Sequence, residues 1–280
     1  MTDTAHARRY RLLERLSERP DGLTLGELAE ELGADERTIR RDADQIRDLL
    51  THVPGIQLVR GRLKPGGSGA VASPTERSTV KERMAEACLR RIEDGSAIVL
   101  TAGSTTLAVA SAIRRAEMLD MPPRDLIVFT NSLPALLDLV AAGVSTGVLG
   151  EVYNPRDLAF HSQELRTRFQ ASLAVVGASG IVPDVAAGYV SLCSDRVEEA
   201  AFMRQVLAPI PEIVVVADAS KIGRRHPWSF TSEGLLVGKS VHLITTPLER
   251  AQSEALAGAA EAGRRLGVSL SFEEVHPCAE

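Results

Sequence analysis

Cysteine is scarce and scattered in this sequence: Cys88, Cys193 and Cys278 form no CxxC pair and have no histidine at ligand spacing. Neither a disulfide framework nor a zinc site is expected, and nothing else points to a cofactor. Long apolar runs are missing too. None reaches the roughly 18 residues of a membrane span, and the N-terminal segment is too polar for a secretory signal, so the expected location is the cytoplasm. Charge of one sign is also lacking. A net charge of −5 gives no global attraction for nucleic acid, and residues 1–64 hold 12 Lys/Arg against 12 Asp/Glu. Any grip on DNA therefore has to come from local placement of arginine. The six histidines are scattered, and neither a Gly-x-Ser-x-Gly elbow nor a Ser/His/Asp arrangement is visible.

What is present begins with residues 25–50. Leu25, Leu28, Ala29 and Leu32 recur at i, i+3, i+4 and i+7, one apolar stripe on a helix. Gly33 stands where that helix stops, because glycine takes positive φ without a Cβ clash. Asp35 suits the N-cap of a second helix, in which Ile39, Ala43, Ile46 and Leu50 face inward. Arg37, Arg40 and Arg41 share the outer face near its positive end, with Thr38 beside them. Guanidiniums placed there suit phosphate contact and guanine-edge readout in a major groove, so the pattern predicts a helix-turn-helix. A plainer reading is a solvated face stitched by i,i+4 pairs, a role open to Asp42, Asp44 and Asp48. The next segment favours the first reading. From Ile56 to Lys64 apolar residues alternate with a polar side carrying Arg60, Arg62 and Lys64, and no acid occurs between Leu49 and Thr75. That predicts the β-wing of a winged helix, able to touch the DNA backbone or minor groove. Upstream, Tyr10, Leu12, Leu13 and Leu16 supply a supporting helix.

Residues 65–75 are small, uncharged and rich in Pro, Gly and Ser, the composition of a flexible linker. The expected domains are therefore 1–64, a linker at 65–75, and 76–280. An amphipathic helix is predicted from Thr79 to Ile92, ended by Asp94 and Gly95. Short apolar strands then alternate with helices: strands at 97–101, 125–130, 144–149, 172–177, 212–218, 241–245 and 268–272. Helices are expected from about 102 to 115 and over 133–142, 195–207 and 248–265. This alternation predicts an α/β domain with a mostly parallel sheet covered on both faces.

Ligands of such sheets bind beyond the carboxyl ends of the strands, and polar residues collect there. Thr101 leads into Gly103, Ser104, Thr105 and Thr106, a turn joining strand to helix. Gly103 permits close backbone approach, the hydroxyls and N–H groups donate, and the helix dipole favours a dianion such as phosphate. The turn lacks the lysine and length of a Walker A loop, which argues against a nucleoside triphosphate. Read alone, it is equally a plain helix cap. Three further strand ends add Asn131 and Ser132, the segment Gly177 to Gly180, and Asp218 with Lys221. Lys221 could place an ammonium on phosphate or be an ordinary loop lysine. His161 and His226 follow loops and read as surface residues.

Two sets of residues resemble one known family. Leu28, Ala29, Leu32 and Gly33, followed by the string Thr38, Ile39, Arg40, Arg41, Asp42, resemble the N-terminal signature of the DeoR/GlpR family of bacterial transcription regulators. Departures are Ala43, where leucine is usual, and Lys64 to Gly67, where His-Gly-Gly-Ala is common. The turn at 103–106, Thr130 to Ser132, Gly177 to Gly180, and Asp218 to Gly223, in this order, are similar to that family's effector domain. The resemblance runs over roughly residues 8–245. It implies a fold shared with ribose-5-phosphate isomerase, a phosphorylated sugar or polyol as effector, a DNA operator as partner, and a dimer or higher homo-oligomer. The family commonly has Asp at Thr101 and a Gly-Gly pair at the segment Leu149 to Glu151, which leaves the identity of the sugar open. Under this reading the chain is a repressor and not an enzyme. Arg37, Thr38, Arg40, Arg41, Arg60 and Arg62 are the DNA contacts. Thr101, Gly103, Ser104, Thr105, Thr106, Asn131, Ser132, Asp218 and Lys221 surround the effector. The alternative is a sugar-phosphate isomerase or lactonase with an accessory N-terminal domain, for which Glu198 and Glu199 offer general bases. An enzyme has no evident use for a helix-turn-helix and wing.

Overall fold

The computed structural model describes residues 8, 11–12, 15–16, 19, 22–49, 56–59, 62–65, 74–155, 157–166 and 168–276, without the side chains of 44–49, 56–59, 62–65 and 74–79. Tyr10, Leu13, Leu50, Arg60, Cys278 and most of the expected linker (66–73) lie outside the described residues. The chain divides into two compact units, Met1–Ser78 and Thr79–Glu280.

In the first unit Leu12 and Leu16 are helical and almost fully buried. A short strand, β1 (Leu23–Thr24), leads into α1 (Leu25–Leu32). The Thr24 hydroxyl accepts from the Glu27 N–H at 3.2 Å, while the Glu27 carboxylate accepts from the Thr24 N–H at 2.7 Å. This reciprocal pair satisfies N–H groups that have no partner inside the helix. α1 stops at Gly33, whose φ of +62° is left-handed, and the Ala34 N–H returns to the Ala29 carbonyl. α2 (Glu36–Leu49) then starts at Asp35, which accepts from the Thr38 N–H at 2.8 Å. The wing is a hairpin of β2 (Ile56–Val59) and β3 (Arg62–Pro65), with Val59 opposite Arg62, and β1 pairs with the free edge of β3. Pro65, expected in the linker, thus closes a strand. Leu12, Leu16, Leu23, Leu25, Leu28, Leu32, Ile39 and Ala43 form the core, each large side chain contributing roughly 1.5–3 kcal/mol by burial.

Asp42 corrects the plainer reading of α2. It is completely buried, and Arg8 donates to it at 2.6 Å. It is an internal ion pair rather than part of a solvated face.

The second unit opens with α3 (Pro74–Leu89), which begins five residues before the expected Thr79 and stops three short of Ile92. Proline is tolerated in a first helical turn because its missing N–H has no partner there. The main sheet contains β4 (Ala97–Leu100), β5 (Ile127–Thr130), β6 (Ser145–Val148), β9 (Leu173–Val176), β12 (Glu212–Val216), β14 (Ser240–Thr245) and β15 (Ser269–Glu274). Their order is β15-β14-β12-β9-β4-β5-β6, and every pair is parallel. Alternate strand residues divide between the faces. Val99, Ala174, Val176, Ile213 and Val215 pack towards α6 (Val197–Leu207) and α8 (Arg250–Leu266). Ile98, Leu100, Val175, Val214 and Val216 pack towards α3, α4 (Ser104–Met118) and α5 (Leu133–Ala141). The expected covered parallel sheet is therefore the architecture found.

Two antiparallel pieces were not expected. β7 (Val152–Asn154) and β8 (Ala159–His161) form a hairpin. β10 (Gly180–Asp184), β11 (Tyr189–Ser194) and β13 (Trp228–Ser229) form a second sheet, and α7 (Glu233–Leu236) follows it. Both pieces stand over the carboxyl end of the main sheet, where they supply residues to the cavity described next. No helix among the described residues is long and apolar enough to cross a membrane.

Candidate effector cavity and DNA-facing helix

On α2, Arg37, Arg40 and Arg41 are all exposed, while Ile39 and Ala43 are buried on the opposite side. Thr38 is differently employed. Its hydroxyl donates to Asp35 Oδ2 at 2.9 Å, so its one hydrogen is spent on the cap. The Thr38 N–H, then the hydroxyl, hold the Asp35 carboxyl below its ordinary pKa. Arg60 lies outside the described residues and Arg62 is placed only by its backbone, opposite Val59 in the wing.

The second unit holds a cavity of about 330 Å³. Gly103, Ser104, Thr105 and Thr106, Gly177 to Ser179, and Asp218 with Lys221 all line it, bringing together the loops after β4, β9 and β12. Gly103 precedes α4 at φ +151°, and no side chain caps that helix. First-turn N–H groups have no partner within a helix, so this turn presents donors and a positive dipole end to whatever enters. Thr106 is fully buried and donates to the Gly103 carbonyl at 2.9 Å, which holds the turn rather than the ligand. Lys81 of α3 reaches the same end and donates to Ser104 Oγ at 3.1 Å.

Lys221 is aimed by local packing. Asp218 caps the short 3₁₀ turn Ala219–Lys221 by accepting from the Ser220 N–H at 3.1 Å. Beyond it, the Gly223 N–H donates to the Ile181 carbonyl at 2.7 Å. The approach requires glycine at 180, where a Cβ would lie 2.1 Å from the Arg224 carbonyl oxygen.

Three expected effector residues do not line the cavity. Thr101 is buried, and its hydroxyl accepts from the Gly177 N–H at 3.4 Å. Asn131 is buried and accepts from the Ala102 N–H at 2.8 Å while donating to the Phe160 carbonyl at 3.2 Å. Ser132 caps α5 by accepting from the Ala135 N–H at 3.3 Å. These polar strand ends brace the Gly103–Thr106 turn and its neighbours rather than lining the cavity.

The opposite wall was not foreseen. Asp157, from the turn of the β7–β8 hairpin, accepts from Asn154 at 2.9 Å, from His161 Nε2 at 3.2 Å, and from the Arg196 guanidinium. Arg196 also donates to Glu199 at 3.0 Å, and Glu199 accepts from Ser194 at 2.6 Å. Burial lowers the His161 pKa, against the opposing pull of Glu199 and Glu198. A neutral ring donating from Nε2 to Asp157 leaves Nδ1 as an acceptor, and that buried atom has no partner. His161 therefore belongs to the cavity and not to the surface. His226 does not line it. Glu199 does line it, but with its carboxylate already taken by two donors, and Glu198 is exposed. Among the described residues no group of His, Cys, Asp and Glu could hold a metal ion.

Comparison with known proteins gives three kinds of likeness. The glycerol-3-phosphate regulon repressor of Escherichia coli (strain K12) is 28% identical over 204 residues, covering 71% of this chain and 75% of that protein. The HTH-type transcriptional regulator GlpR of Haloferax volcanii is 25% identical over 235 residues, covering 80% of this chain and 85% of that protein. Among solved structures, ribose 5-phosphate isomerase from Plasmodium falciparum aligns with a TM-score of 0.38 and 16% identity over 52% of this chain, which spans about half (53%) of the isomerase. Residues 8–66 match the family model of an HTH domain, and residues 76–234 match that of the DeoR C terminal sensor domain. With its helix-turn-helix and more than half its length matched to that sensor domain, the chain belongs to the DeoR family of helix-turn-helix transcription regulators.

Proposed function

We propose that the chain is an operator-binding repressor of the cytoplasm, released from DNA by a small phosphate ester of the sugar or polyol class. The observation that carries this is the uncapped Gly103–Thr106 turn meeting Lys81 and Lys221 across one cavity. Phosphate takes the turn's N–H groups and the Ser104 hydroxyl, with the two ammonium groups completing its shell. About 330 Å³ suits a small metabolite.

Arg37, Arg40 and Arg41 read the operator from the exposed face of α2, and Arg62 on the wing adds a backbone contact, as does Arg60 if it follows the sequence expectation. Thr38 is a cap first. Two half-sites engaged together call for a dimer or higher homo-oligomer. The isomerase reading is disfavoured because Glu199, its best base, is occupied by Arg196 and Ser194.

The E. coli relative is named for glycerol 3-phosphate, which makes that compound the first to test. A thermal-shift screen of phosphorylated polyols, pentoses and hexoses is the experiment. A ligand at 100 times its Kd adds about 2.7 kcal/mol of stability. The same ligand should release operator DNA without being consumed. Turnover of the ligand, or no stabilisation by any phosphate ester, contradicts the proposal.

A further inference from the structure

α3 begins at Pro74, before the first unit ends at Ser78, and runs on to Leu89 in the second. The chain thus passes from the DNA-binding unit to the sensing unit along this helix. Its later turns are fixed: Met84, Ala85, Ala87 and Cys88 are all at most 1% exposed in the core beneath the sheet. One turn before Ala85 stands Lys81. Among the described residues of α3, it is the one that lines the cavity, and it donates to Ser104 Oγ at 3.1 Å. Ser104 is the first residue of α4 and sits in the turn assigned above to phosphate.

A serine hydroxyl is a neutral acceptor, whereas a phosphate on the same turn offers charged oxygens within reach of the same ammonium. Charge-assisted hydrogen bonds are roughly twice as strong as neutral ones. Arrival of the ligand therefore gives Lys81 a charged partner in addition to Ser104 and changes what holds the middle of α3. Lys221 carries the same charge into the cavity, but from the loop after β12.

We propose that Lys81 is the coupling residue of this regulator: it binds the effector's phosphate and transmits occupancy along α3 towards the DNA-binding unit. This rests on the phosphate reading above. An effector shifts operator affinity only by binding the DNA-competent and incompetent states differently. Of these two lysines Lys81 is the one on the helix that begins in the first unit, so the difference is assigned to it and affinity alone to Lys221.

The two lysines are separable in one experiment on the full chain. Operator binding is followed by fluorescence anisotropy while glycerol 3-phosphate is titrated into wild type, Lys81→Met, Lys81→Arg and Lys221→Met. Methionine keeps the length and apolar stem and removes the ammonium. Measured directly by isothermal titration calorimetry, both methionine variants should bind the probe about tenfold or more weakly, the loss expected for one charge-assisted contact. Lys221→Met should still reach the wild-type end point at saturation. Lys81→Met should not: its operator affinity at saturating probe should stay within about threefold of its ligand-free value, against the 5–150-fold change common in coupled systems. Lys81→Arg should recover most of the response. If Lys81→Met melts below wild type, Lys81→Gln, which keeps a donor for Ser104 without charge, should behave in the same way. A Lys81→Met end point equal to wild type overturns the inference and leaves Lys81 as a phosphate ligand only. Unchanged probe affinity in that variant removes Lys81 from the site altogether. A wild type unresponsive to glycerol 3-phosphate and to every phosphate ester of the screen overturns the phosphate reading itself, and the inference with it.

Discussion

Removing Arg8 should destabilise the DNA-binding unit far more than a surface arginine would. Asp42 on α2 is 0% exposed and the Arg8 side chain 13%, with 2.6 Å between them. A solvent-exposed pair is worth at most about 1 kcal/mol, but deleting one partner of a buried pair strands the other and costs about 3–5 kcal/mol. Arg8→Ala should therefore fall at the low end, near 3 kcal/mol, because Asp42 keeps a further interaction and the guanidinium is already partly hydrated. Asp42→Ala should cost less, since a stranded Arg8 can swing into water. The double variant should recover part of the loss, a coupling of about 1–3 kcal/mol in a double-mutant cycle. For a unit of this size each kcal/mol moves the melting point by about 4–8 °C, so Arg8→Ala should melt roughly 12–24 °C lower. The assay is thermal unfolding of the full chain, read by circular dichroism and by retention of operator binding. An Arg8→Ala transition within a degree or two of wild type, or strictly additive losses, would refute the claim that Asp42 is an internal ion.

Arg40→Ala and Arg41→Ala should each cost about 1–3 kcal/mol of specific operator affinity if they read bases; a gel-shift titration at two salt concentrations separates this from phosphate contact, which weakens all sequences alike. Gly180→Ala puts a methyl 2.1 Å from the Arg224 carbonyl and should cost about 1–3 kcal/mol by overpacking, loosening the Lys221 loop. Gly234→Ala, with nothing within 4 Å, should stay within about 1 kcal/mol of wild type; equal urea midpoints for the two would contradict the packing. Stability should fall as pH drops below about 6.5. Burial lowers the pKa of both His161 and His242, aided at His242 by Arg91, so the unfolded chain binds more protons just below the ordinary value of 6.5. Asp35, held low, matters only below about 3.8. Urea midpoints that rise from pH 7 to pH 5 would reverse that sign.

The parts legible in the sequence are those whose signals are local. Leu25 to Leu32, Gly33 and Asp35 lie within a dozen residues, and the stripe, stop and cap they announce are those found. The central parallel strands β4, β9 and β12 are short buried apolar runs, so they too announce themselves. Thr24 and Glu27 have capping-box spacing, and Val190 and Leu192 alternate with Ser191 on β11.

What could not be read is what long-range packing decides. Asp42 finds its cation 34 residues away, so its sequence neighbours give no hint of burial. Thr101, Asn131 and Ser132 have the chemistry of ligands, yet each spends its groups on a backbone partner chosen by the fold. Asp157, His161, Arg196 and Glu199 come from a hairpin and a helix some forty residues apart. Lys81 on an amphipathic helix looks like any solvated lysine until α3 is laid beside the turn at Ser104.

The most direct test of the account is operator release by the phosphate ester that stabilises the protein, compared between wild type and the Ser104→Ala, Lys221→Ala double variant. Ser104 lines the cavity at the uncapped turn and Lys221 lines it from the loop after β12. Each charge-assisted contact is worth about 1.5–3 kcal/mol, so the double variant should lose several kcal/mol of effector affinity. Operator binding without effector is measured beside it. The account predicts that the ester frees wild type from its operator, read by fluorescence anisotropy, and leaves the double variant bound at the same concentration. Release of the double variant at the wild-type concentration would contradict it.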